Sequence, residues 1–302
     1  MASLREVKDH IESVRSTLKS TSAMKLVSSA KLHKAQQMAE NIRPYTEALA
    51  EILSAVSAHG AGVSGAGVHG ADLSPRDGRQ TDQEAAGAGR VAIVAVSSNS
   101  SLCGAFNINV IRKSSELIES YKKQGSEVEV YPIGRKMAEA MRRAGYTSPE
   151  DYSDMVGKCS FEKASAFAQK MIDAYNSGRY TSVMLVYNHF VSTSTQKVYV
   201  EEYLGASQAA VQPSSAEDSG EFIIEPSRDE VLSVLQPQVM RLRIYTMLLD
   251  SIASEHAARM VAMQAASDNA EELLDTLTLE YNKGRQAKIT SEILDLVGGS
   301  QQ

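Results

Sequence analysis

The chain has 302 residues, 43% hydrophobic and 23% charged, with 19 glycines, 7 prolines and no tryptophan. That composition folds, and it excludes a disordered tail, collagen and proline-rich low complexity. A net charge of −6 argues against bulk nucleic-acid binding, and two cysteines, Cys103 and Cys159, exclude a disulfide scaffold or a multi-cysteine zinc module. No apolar run approaches the ~18 residues needed to span a bilayer. Arg5, Glu6, Lys8 and Asp9 interrupt the place of a secretory leader, so none is expected.

The first predicted element is a long helix over residues 1–57. Leu4, Val7, Ile11, Val14 and Leu18 alternate spacings of three and four, the period of a coiled-coil seam. Ser3 and Glu6 fit a capping box. The seam weakens at Thr21 and Lys25 and returns as Ile42, Tyr45, Leu49, Ile52 and Val56, with a kink expected at Pro44. Residues 58–90 read as a glycine-rich loop. Its two G-x-G-x-x-G matches begin at Gly60 and Gly65, but they follow a helix, and Pro75 and Gly78 prevent a helix after them. They therefore do not fit a dinucleotide site.

An α/β unit is predicted over 91–205. The run VAIVAVSS (91–98) suits a strand buried on both faces. A helix over 108–125, a strand over 127–133, and helices over 134–145 and 161–178 follow, then strands over 182–190 and 194–204. This Rossmann-like order predicts a mostly parallel sheet with right-handed crossovers. The 97–107 loop lies where open parallel sheets hold ligands, yet it lacks the lysine and glycines of a P-loop. Cys103 has no positioned histidine, so packing is expected rather than nucleophilic catalysis. The six histidines show no metal-ligand spacing, and there is no nucleophile elbow. No catalytic residue, cofactor or metal ligand is assigned.

Residues 206–227 read as a linker and 228–302 as a second long helix. Leu235, Leu242, Tyr245, Leu249 and Ile252 share one register. Met263, Ala266, Ala270, Leu273 and Leu277 continue it past Gln238, His256 and Arg259. Ser227 and Glu230 fit another capping box, Pro237 predicts a kink or fresh start, and Gly298-Gly299 the end. Two long rods with narrow apolar stripes predict an antiparallel, left-handed coiled coil. Small residues (Ala23, Ser28, Ser29, Ala30; Ala257, Ala258, Ala262, Ala265, Ala266) are expected in that stripe. Residues 1–43 carry eight basic and four acidic side chains, and residues 228–302 seven and eleven. The imbalance reads either as solvated faces or as a basic collar for an acidic partner.

Three stretches carry a resemblance. SAMKLVSSAKLHKAQ (22–36) resembles the N-terminal helix of gamma subunits of rotary ATP synthases. SSLCGAFN (100–107) is similar to the loop after the first strand of their globular domain. SEHAARMVAMQAASDNAEELL (254–274) and LEYNKGRQAKITSEILDLVGG (279–299) resemble their C-terminal helix. The chain departs from that pattern at Asn99-Ser100-Ser101, where an Asp-basic-Gly is usual, at Gly284, where alanine is common, and at Gly298-Gly299, where Gly-Ala is normal. It lacks the regulatory cysteine pair of the chloroplast forms.

The resemblance implies a non-catalytic rotor shaft of a proton- or ion-translocating ATP synthase. It implies α and β subunits of a catalytic ring, the epsilon subunit and a membrane c-ring as partners. Membrane association would be peripheral, through the complex alone, on the cytoplasmic face of a bacterial inner membrane. By the same resemblance, Arg285 and Gln286 match a pair that hydrogen-bonds a catch loop of β. Arg259 matches a basic residue facing an acidic lever of β, and Met24 and Lys25 a Met-basic neighbourhood at that level. Ile289, Ile293, Leu296 and Val297 would form an apolar bearing tip. Two other readings are a structural coiled-coil tether with an α/β head and a nucleotide-binding enzyme using the 97–107 loop. Neither accounts for the three stretches.

Overall fold

The computed structural model describes residues 4–58, 89–205 and 227–299. The predicted 58–90 loop and 206–227 linker lie almost wholly outside them, as does Ser3. The chain divides into two compact units. The larger runs from Lys31 to Ala258, and the smaller joins the N-terminal residues up to Ala30 with those from Arg259 onward.

In the larger unit, β1 (Arg90–Val96), β2 (Glu127–Ile133), β3 (Ser182–Phe190) and β4 (Gln196–Leu204) form one sheet in the order β2-β1-β3-β4. β1 pairs parallel with both neighbours, and β3 pairs antiparallel with β4, so the sheet is mostly parallel as predicted. Six consecutive residues of β1, Val91–Val96, are buried because helices cover both faces. The pleat divides them. Val91, Ile93 and Ala95 pack with α2 (Phe106–Lys123) and α3 (Arg135–Arg143). Ala92, Val94 and Val96 pack with α4 (Asp154–Gly157), α5 (Phe161–Asn176) and parts of both long helices. Each large aliphatic side chain so buried contributes roughly 1.5–3 kcal/mol. β1 is therefore the anchor of the unit.

Local chemistry sets the boundaries. α2 buries Val110, Ser114, Leu117, Ile118 and Tyr121, a stripe at helical spacing, and the chain turns at Gly125 with φ +82. α5 starts at Ser160, whose hydroxyl accepts from the Lys163 N–H. Beside β2, Tyr180 Oη donates to Glu129 at 2.7 Å and lies 2.6 Å from Tyr131 Oη. Arg179 Nη2 donates to both Glu129 oxygens, at 2.9 and 3.0 Å.

The long helices α1 (Leu4–Ala58) and α6 (Arg228–Gly299) run unbroken through Pro44 and Pro237. Of the kink or fresh start expected at Pro237, no fresh start occurs; the helix begins at Arg228, where the Ser227 hydroxyl accepts from the Glu230 N–H at 3.4 Å. A proline inside a helix costs one helical hydrogen bond. Here Ile42 and Leu49 on either side of Pro44, and Leu235 and Val239 on either side of Pro237, pack on the core and offset that cost.

Two expectations about the helix faces need correction. Tyr45 is 54% exposed and Ile52 also faces outward, whereas Leu49, Ala50, Leu53 and Val56 face in. From Met240 to Leu249, α6 has no single stripe. Met240, Leu242, Ile244, Tyr245, Met247, Leu248 and Leu249 are all buried, because this stretch lies inside the larger unit.

Candidate functional site

Every residue assigned a role from the sequence falls in the smaller unit, where the two chain ends pair. Val14, Ala270 and Leu277 form its core, with Val7, Ile11, Leu18 and Leu274 packed against them. Thr21 Oγ1 and Ser267 Oγ share a hydrogen bond at 2.8 Å. A Cβ on Gly284 would sit 3.1 Å from Leu4 Cδ2. Residue numbers thus fall along α6 as they rise along α1, so the pairing is antiparallel as predicted.

The register differs in detail from the expected one. On α6 the inward row is Met263, Ser267, Ala270, Leu274 and Leu277, so Ala266 and Leu273 are off the seam and Leu273 is exposed. On α1 the seam does not stop at Thr21 and Lys25. Both are half-buried, and Ser28, Leu32 and Ala35 continue the row as buried residues. The strict heptad accepts polar residues here because Thr21 and Ser267 satisfy each other. Of the small residues expected in the stripe, Ser28 and Ala257 are buried, whereas Ala23, Ser29, Ala30 and Ala265 face outward.

By the register that the two pairs fix, Lys25 falls opposite Met263, and Arg259 lies about one turn further along α6. Met24, Lys25 and Arg259 therefore belong to one level of the helix pair. Met24 is 44% exposed, and Lys25 and Arg259 are half-buried. The same level exposes Leu26, at 68%, with Val27 and Val261. Sequence reading missed these three. Their signal was available, since they are apolar residues left off a strict heptad.

Arg285 and Gln286 are both exposed and lie about 39 Å further along α6 than Arg259, at ~1.5 Å per residue. The structure does not bring the two levels together. Every described side chain from Arg285 to Leu294 is exposed, including Ile289 and Ile293, which sit four residues apart on one side of the helix. The side chains of Leu296 and Val297 lie outside the described residues.

The 97–107 loop has its hydrogen bonds turned inward. The first-turn N–H groups of α3 donate to it: Arg135 to Asn99 Oδ1 at 2.9 Å, Lys136 to the Ser98 carbonyl at 3.1 Å, and Met137 to Ser97 Oγ at 2.7 Å. Asn107 joins Ser98 and Cys103 in the same network. Gly134, at φ +95, permits the approach, since a Cβ there would lie 2.2 Å from the Ser97 carbonyl oxygen. The donors that would cradle a phosphate at α3 are thus occupied by the chain itself, against the nucleotide-enzyme reading. Cys103 is buried, and burial pushes the Cys159 thiol up to about 11, which keeps it protonated at neutral pH. Among the described residues, no cluster of His, Cys, Asp and Glu could hold a metal ion.

Known proteins place this architecture. A family model described as ATP synthase matches residues 3–301. The chain is 44% identical to the ATP synthase gamma chain of Phocaeicola vulgatus, over 99% of each chain. It is 42% identical to that of Bacteroides thetaiotaomicron, over the full length of both. Among solved structures, it is similar to a chain of the Euglena gracilis mitochondrial ATP synthase OSCP/F1/c-ring assembly. That match has a TM-score of 0.64 and 19% identity, and covers 99% of this chain and 93% of that one. A chain of the rotor of the same organism's enzyme aligns with a TM-score of 0.60 and 18% identity, covering 95% and 98%. With the family matched from end to end and the paired termini in place, the chain belongs to the ATP synthase gamma-subunit family.

Proposed function

We propose that this chain is the central rotor shaft of an ATP synthase, coupling rotation of a membrane c-ring to conformational cycling of catalytic β subunits. The chain itself performs no chemistry; the catalytic sites lie on other subunits. One observation supports the reading most: exposed apolar residues (Met24, Leu26, Val27, Val261) and basic residues (Lys25, Arg259) share a level of a helix pair whose seam is already filled. Apolar side chains grouped on an exposed surface mark a partner surface, and the bases beside them suit an acidic one.

In this reading Met24, Lys25 and Arg259 meet an acidic lever of β, and Arg285 and Gln286 hydrogen-bond a second β loop. Ile289, Ile293, Leu296 and Val297 turn against an apolar sleeve formed by the α and β subunits. The α/β unit meets the epsilon subunit and the c-ring. An asymmetric shaft presents a different face to each β subunit, and that differential binding shifts each site between states. Among the described residues no helix is long and apolar enough to cross a membrane. In this reading the chain attaches peripherally, through the complex alone, at the cytoplasmic face of a bacterial inner membrane.

Arg285→Ala tests the assignment. Assembled in membrane vesicles, the variant is expected to fold and assemble but to lose at least half of its coupled ATP synthesis. Unchanged synthesis removes Arg285 from the β contact.

A further inference from the structure

The larger unit grips α6 with polar contacts from two opposite sides, within the stretch whose apolar side chains from Met240 to Leu249 are all buried. Arg241 donates from Nε and Nη2 to Gln169 Oε1 of α5, at 3.0 and 2.5 Å. Arg243 pairs with Glu201 of β4 at 3.2 Å. Asp250 accepts from the Phe190 N–H at 2.9 Å and meets His189 Nδ1 at 2.5 Å, both at the end of β3. Tyr203 Oη of β4 donates to the Met240 carbonyl at 3.0 Å.

At 3.6 residues per turn, Arg241 and Arg243 project about 200° apart, and Asp250 returns to within about 20° of Arg243. One side of the helix is therefore held by α5 and the opposite side by the β3–β4 hairpin. Apolar packing resists separation and selects which rows of a helix face inward, but it names no partner atoms. Hydrogen bonds and ion pairs have fixed partners and directions, so they specify the angle at which a helix sits. Contacts on opposite faces form a couple, the arrangement that resists twist rather than tension. Arg243 and Glu201 are half-buried, so each loses its charge partner when the other is removed.

We propose that Arg241, Arg243 and Asp250, with Gln169, Glu201 and the end of β3, form a torque clamp that locks α6 to the α/β unit, so that a turn of the unit becomes a turn of the helix. They are positioning residues, and the proposal rests on the rotor reading above. The clamp carries load only when the two ends of the rotor are driven against each other. Loss of the clamp should therefore uncouple more than it inhibits.

The test uses the whole enzyme in sealed vesicles with the triple variant Arg241→Met, Arg243→Met and Asp250→Ala. ATP hydrolysis is expected to stay within about twofold of the unsubstituted enzyme. The transmembrane potential generated per ATP, read with a potential-sensitive dye, is expected to fall at least fivefold. A merely structural defect lowers both together, and that result overturns the clamp, as does an unchanged ratio. Should the triple variant not assemble, Gln169→Leu removes one grip without altering α6. It is expected to lower the ratio about twofold, and an unchanged ratio overturns the proposal. An unsubstituted chain that supports hydrolysis but no potential overturns the rotor reading and the clamp together. Potential from the unsubstituted chain with an unaltered ratio in the variants overturns the clamp alone.

Discussion

Asn99 ties three segments together through one amide. Its Oδ1 accepts from the Arg135 N–H, and its Nδ2 donates to the Ser153 carbonyl at 2.8 Å. An aspartate, usual at this place in the resembling family, keeps the first bond and cannot make the second. Asn99→Asp is expected to cost about 1 kcal/mol, the worth of an ordinary hydrogen bond. A denaturant midpoint equal to that of the unsubstituted chain would contradict this. Glu129 is a second such residue, 24% exposed and the acceptor for Tyr180, Tyr131 and Arg179. Burial pushes its carboxyl up, but the Tyr180 hydrogen bond and the Arg179 charge outweigh burial and hold it below its ordinary 4.5. A carboxylate depressed in the folded state contributes stability above pH 4.5, which is lost as pH falls through its folded value. Glu129→Gln should therefore destabilise by about 1–2 kcal/mol at pH 7. The gap to the unsubstituted chain should close in acid, and one that widens below pH 4.5 would contradict the account.

At the scale of elements, legibility follows how many faces of a segment are committed. β1 was plain in the sequence because a strand covered on both faces needs an unbroken apolar run, which Val91–Val96 supplies. The first five seam residues were plain because nothing else on that turn of α1 is apolar. Reading failed where apolar residues occupy two rows of a helix. Near Tyr45 and Ile52, the row of Leu49, Ala50, Leu53 and Val56 competes and wins, because the core of the larger unit lies on that side. Leu273 and Leu274 are equivalent in sequence, and only the opposing α1 chooses Leu274. The polar seam at Thr21 and Ser267 was missed because a hydrogen bond across 246 residues leaves no local signal. The clamp on α6 was invisible for the same reason. Gly284 belongs to this scale too. Alanine there adds about 1 kcal/mol of helix propensity, and its Cβ meets only the movable end of Leu4. Gly284→Ala is expected to raise the thermal midpoint, checked by circular dichroism; a lowered midpoint would mean that Leu4 cannot yield.

At the scale of the whole molecule, the chain combines two kinds of surface. The smaller unit hides a narrow seam and leaves apolar and basic side chains outside it, at the level of Met24 and Arg259 and again from Arg285 to Leu294. The larger unit spends its polar groups on itself, closing the 97–107 loop against α3 and gripping α6. That division suits a part that works by being turned rather than by binding a small molecule. The most direct measurement immobilises the catalytic ring of the assembled enzyme and follows a probe fixed to a cysteine introduced on exposed α2, for example Lys113→Cys. The account predicts unidirectional, ATP-dependent rotation of the probe that stops when the chain is crosslinked to a β subunit. A probe that stays still while the ring hydrolyses ATP, or hydrolysis that continues undiminished through the crosslink, would contradict it.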